Sequence, residues 1–132
     1  MSGAFVMKAG DTLPAIEDTL LLPSGDPVDL SGGAAVALRV GYVTQGLRFA
    51  PDVAMYRASV GDPLIAVLAH AGHVVAPSTA GKVRFNWTDL APTALLGAGT
   101  YLAEWVVTFS DTTLLTFPND GYFTILVLPH VA

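Results

Sequence analysis

Tyr101-Leu-Ala-Glu-Trp-Val-Val-Thr-Phe109 is the stretch that decides the fold. Tyr101, Ala103, Trp105, Val107 and Phe109 occupy one face at a period of two, and Leu102, Glu104, Val106 and Thr108 occupy the other. Successive side chains of a strand alternate between faces, so this spacing predicts a strand. Both faces are mostly apolar, which predicts a central strand covered on each side. Ser110-Asp-Thr follows and predicts a hairpin returning along 113–117. The same alternation recurs at Val36, Leu38, Val40 and Tyr42, set against Ala37, Arg39 and Gly41, and at Val83, Phe85 and Trp87, set against Lys82, Arg84 and Asn86.

Turn chemistry separates these runs. Gly10-Asp11 closes a strand near Phe5–Lys8, Pro23-Ser-Gly-Asp-Pro27 divides a strand around 15–22 from Val28–Leu30, and Asn119-Asp-Gly121 precedes the apolar run Tyr122–Leu128. A short helix is expected between Thr88 and Leu96, and Leu64–Ala71 reads equally as strand or as helical turns. Short strands between Gly/Pro turns predict a single antiparallel β-sandwich spanning 1–132, with a departure at about 44–80. Trp87 or Trp105 is expected to fill the space between the sheets.

A length of 132 residues suffices for one core, and the absence of cysteine removes disulfides, thiol nucleophiles and zinc-thiolate sites. Charged residues make up 13% of the chain, about half the ~25% of ordinary soluble domains, and mean hydropathy is +0.56. Much of the surface is therefore expected to face something other than water. The longest apolar runs fall short of the ~20 residues of a spanning helix, and the N-terminus lacks the pattern of a signal peptide. A net charge of −5 with six scattered basic residues argues against nucleic acid as a partner. Burial against other protein subunits is the expectation that remains.

Candidate chemistry is sparse. His70 and His73 have the spacing of two metal ligands on a helix face, with a third to come from Asp52, Asp62, Glu104 or His130. Gly72 between them favours a turn into a strand, so neither a metal nor a cofactor is expected. Most carboxylates sit beside Gly, Pro, Ser or Thr, where they accept backbone hydrogen bonds in turns. Gly97-Ala-Gly-Thr lacks the third glycine of a dinucleotide loop, and no nucleophile elbow or phosphate loop occurs, so no catalytic residue is assigned and an enzyme is not expected.

Lys8-Ala-Gly-Asp-Thr-Leu-Pro14, Pro27-Val-Asp-Leu30, Gly81-Lys-Val-Arg-Phe-Asn-Trp87, Gly99-Thr-Tyr-Leu-Ala-Glu104 and Thr116-Phe-Pro-Asn-Asp-Gly-Tyr122, in that order, resemble the immunoglobulin-like domain of tailed-phage and prophage structural proteins, similar to the N-terminal module of baseplate upper proteins. The resemblance covers 5–43 and 81–128. It implies an Ig-like sandwich acting as a tail or baseplate component of a virion, assembled in the bacterial cytoplasm and partnered by copies of itself and by other phage proteins. Phe49, Met55, Tyr56, Arg57, Leu64, Ile65 and Leu68 are the expected interface. The alternatives are a module that binds host-surface carbohydrate or protein, with Tyr56-Arg57 or Asn86-Trp87 closest to a sugar site, and a capsid-associated decoration protein.

Overall fold

The runs at Val36–Tyr42 and Tyr101–Thr108 are adjacent strands. In the computed structural model, which describes residues 5–12, 14–43, 55–56, 64–118 and 122–130, β3 (Ala35–Val43) pairs antiparallel with β8 (Gly99–Thr108), Leu38 opposite Trp105 and Arg39 opposite Glu104. Around them lie β1 (Phe5–Lys8), β4 (Met55–Tyr56), β5 (Leu64–Ala71), β9 (Leu114–Phe117) and β10 (Tyr122–Leu128). These seven strands form one sheet in the order β1-β10-β8-β3-β5, with β4 beside β10 and β9 beside β8. A second sheet holds β2 (Ile16–Thr19), β7 (Lys82–Phe85) and β6 (His73–Val74), in the order β2-β7-β6. The all-β sandwich expected from the alternation is present. β1 alone among the described strands runs parallel to its neighbour, β10.

Alternation places one face of each strand between the sheets. Val36, Leu38, Val40, Ala103, Trp105, Val107, Ile125 and Val127 from the large sheet meet Ile16, Val83 and Phe85 from the small one, and Trp87 from the 3-10 turn after β7, in a single buried cluster. Phe85 and Trp87 pack edge to face at 5.2 Å, and Trp105 stacks on Phe123 at 6.2 Å. Both tryptophans thus fill the space between the sheets. The other face of β8 is also covered, since Leu102 and Val106 are buried without belonging to that cluster. Tyr42 continues the alternation of β3 yet stays exposed.

Segment 44–80 departs from a simple inserted hairpin. β4 pairs with β10, whereas β5 pairs with β3. Leu64–Ala71 is a strand and not helical turns. At Gly72 the same strand crosses from the large sheet to the small one: its N–H donates to Val36 O at 2.8 Å, and a Cβ there would lie 3.0 Å from Arg84 O and 3.4 Å from the Trp105 ring. The expected helix at 88–96 is two 3-10 turns, Trp87–Asp89 and Pro92–Ala94. Pro92 and the extended backbone at Ala91 prevent the two from merging.

Candidate functional site

The outer face of the small sheet carries its charge in rows. β2, β7 and β6 bring Glu17, Arg84 and His73 into one row, with Thr19 and Lys82 in the next. Arg84 donates from Nε and Nη2 to Glu17 Oε1 at 2.9 and 2.5 Å. His73 Nε2 lies 2.6 Å from Asp89 Oδ2 on the turn that follows β7. All four side chains are solvent-exposed to a large degree, so each pair contributes only about 0–1 kcal/mol. Beside them runs an open groove of about 430 Å³ lined by Glu17, Asp18, Thr19, Leu21, Val75, Lys82 and Val83. Lys82 makes no ion pair among the described residues. The groove can take a small polar group, but no aromatic side chain lines it, so it offers no platform for a sugar ring.

The carboxylates behave largely as turn and strand anchors. Asp29 Oδ1 accepts from Ser31 N–H at 2.9 Å, and Asp111 Oδ1 accepts from the Thr113 hydroxyl and N–H at 2.6 and 3.1 Å. Hydrogen bonds from the side chain of Ser31 to Asp29 and of Thr113 to Asp111, with the backbone bonds second, favour the ionised form and hold both carboxyls below the usual range. Asp18 reaches into the sandwich, where its Oδ2 accepts from Trp105 Nε1–H at 3.3 Å.

The residues singled out from sequence separate in space. His70 and His73 do not face a common point: the His70 ring packs edge-on against Phe85 at 6.0 Å, with Nδ1 3.0 Å from Ala71 O, while His73 turns outward to Asp89. The helical spacing that would align them does not exist, because they lie on strands of different sheets. Trp87 is wholly buried, which removes Asn86-Trp87 as a sugar platform. Phe49 and Arg57 lie outside the described residues. Met55 and Tyr56 form β4 opposite Phe123 and Tyr122; Leu64 and Ile65 lie on β5 opposite Val43 and Tyr42; Leu68 is half-buried and packs on the core.

Sequence reading missed the polar rows. Lys82 and Arg84 are visibly on one strand face, but Glu17, the partner of Arg84, lies 67 positions away, and His73 reaches Asp89 only because β6 pairs with β7.

The outer face of the large sheet is the counterpart. Its seven strands carry Lys8, Arg39 and Glu104 as their only charges, against four among the ten residues of the small sheet's strands. Leu114 is 62% exposed, Val6 50% and Val67 43%. A shallow groove of about 320 Å³ crosses the face between β5, β3 and β8, lined by Ala35, Ala37, Ala69, Ala71, Val106 and Thr108 among others.

Burial pushes the Glu104 carboxyl up, and the opposing Arg39 guanidinium draws it only partly back. A carboxyl raised in the folded state binds its proton more tightly there than in the unfolded chain. Ionisation at neutral pH therefore detracts from stability, and the penalty fades as pH falls through the folded value to below the unfolded one. Glu104→Gln should raise the melting temperature at pH 7, with the gain vanishing below about pH 4. A variant melting lower than wild type at pH 7 would show that the Arg39 attraction outweighs burial.

No family model matches the chain, and none of the curated proteins matches it. Among solved structures it is similar to the crystal structure of CopC from Methylosinus trichosporium OB3b, at 15% identity and a TM-score of 0.43, over 99% of this chain and 89% of that one. The expectation of a phage tail or baseplate component is corrected here: the likeness found is to CopC and not to a phage structural protein, and the virion role is withdrawn. At that identity and TM-score the likeness says nothing of what this chain binds.

Proposed function

We propose that this chain is a non-enzymatic binding module that docks the outer face of its large sheet on another protein surface. The asymmetry between its two sheets carries the reading. The small sheet shows water paired charges and a polar groove, as an exposed sheet face does. The large sheet exposes Val6, Val67 and Leu114 on strands with almost no charge. Val6 and Val67 stand on opposite borders of that sheet and Leu114 beside the end of β8, and apolar side chains exposed on strands so poor in charge are the surface a protein partner would cover. Leu64 and Ile65 lie on the border strand of the same sheet. A photo-crosslinking amino acid at Leu114 should give discrete protein adducts in the producing cells, whereas the same group at exposed Thr88 on the small-sheet side should not. Equal yields at the two positions would overturn the reading.

A further inference from the structure

β5 borders the large sheet, and through Gly72 the same chain continues as β6, the border of the small one. One flank of the sandwich is therefore a single strand edge, residues 64–74, and no described strand pairs with it. Free edges are ordinarily guarded by shortness, charge or proline. β2 is guarded by Glu17 and Asp18, β1 by Lys8 and its four residues, and β9 by its four residues. Residues 64–74 contain no Lys, Arg, Asp, Glu or Pro. They are irregular at a bulge at Val67, opposite the step between Val40 and Gly41, and at Gly72, where the chain changes sheets.

The pairing pattern shows which groups are free. Gly72 N–H bonds to Val36 O, so the alternation of an antiparallel ladder turns positions 72, 70 and 68 toward β3. The N–H and C=O of Ala69 and the N–H of Ala71 then point away from the sheet, while the Ala71 C=O lies 3.0 Å from His70 Nδ1. We infer that this flank pairs antiparallel with the same flank of a second copy, across a two-fold axis near His70, which sets Ala69 of each copy opposite Ala71 of the other. That register keeps outward residues of both copies on one face, and Ala69 and Ala71 are small enough to meet closely. The flank adds no like-charge repulsion although the chain carries a net charge of −5. A few paired residues bury less than the ~1,200 Å² of a stable interface, so the dimer is weak, with a Kd on the order of 10 μM.

This inference goes beyond the docking reading above, since the flank and the open face are separate surfaces. Sedimentation velocity over about 1–200 μM brackets that affinity. The wild-type chain should shift from monomer to dimer across the series. Ala69→Pro and Ala71→Lys should keep their circular dichroism and remain monomeric to at least tenfold higher concentration, because the edge loses a donor in one and gains a charge in the other. Ala71→Lys decides should the proline variant fail to fold. Leu114→Lys, on the open face, should dimerise as wild type does. A wild-type chain that stays monomeric throughout overturns the inference, as does dimerisation by both edge variants. A dimer lost in Leu114→Lys alone overturns the flank pairing and leaves the docking face standing. Loss in the edge variants with no adducts from Leu114 upholds the flank and overturns the face.

Discussion

Trp105→Ala should lower stability by about 3–5 kcal/mol, the range for truncating a fully buried aromatic. Trp105 has no exposed surface and stacks on Phe123. Its indole also lies against the point where the strand leaves the large sheet, since a Cβ at Gly72 would stand 3.4 Å from Trp105 Cζ3. The Nε1–H bond to Asp18 Oδ2 spans the two sheets, so truncation removes packing and strands a half-buried carboxylate together. Trp87 differs, because its buried Nε1 has no hydrogen-bond partner among the described residues and it packs against Phe5 and Phe85. Urea melts followed by circular dichroism test the expectation. A loss under about 1 kcal/mol would mean that Trp105 does not join the sheets.

Gly81→Ala should cost about 2–4 kcal/mol, a large effect for adding one methyl group. Gly81 ends the 3-10 turn Ser78–Ala80 with φ of 70°. A Cβ there would lie 2.6 Å from Leu20 O and 3.0 Å from Val28 N. Those two atoms are hydrogen-bonded to each other at 2.9 Å, and Leu20 N–H donates to Gly81 O at 2.7 Å. The methyl group therefore collides with backbone that has nowhere to go, on top of the strain of a left-handed conformation. The same melts apply, with Gly10→Ala as control. Gly10 also has positive φ, but a Cβ there meets nothing within 4 Å, so it bears the conformational strain alone. Equal losses at the two glycines would show that the collision at Gly81 relaxes.

The strands were legible because alternation is a local property. Val36–Val40, Val83–Trp87 and Tyr101–Val107 each declare in a few residues which side chains are buried, and the hairpin across Ser110-Asp-Thr appears with Phe109 N–H bonded to Thr113 O at 2.9 Å. Leu64–Ala71 was ambiguous because its alanines suit helix and strand alike. Lateral pairing with β3 settled it.

Sequence by itself thus determined an all-β chain, the central place of β8 with both faces covered, and a tryptophan between the sheets, since side-chain alternation and turn residues act over neighbouring positions. Only the tertiary structure decided who stands beside whom. Glu17 meets Arg84 across 67 positions, His73 and His70 part at Gly72, and the outer side of residues 64–74 meets no other strand among the described residues. Such neighbours are chosen by the packing of whole sheets, where burying Trp87, Trp105 and Phe85 together outweighs any preference that an isolated segment expresses.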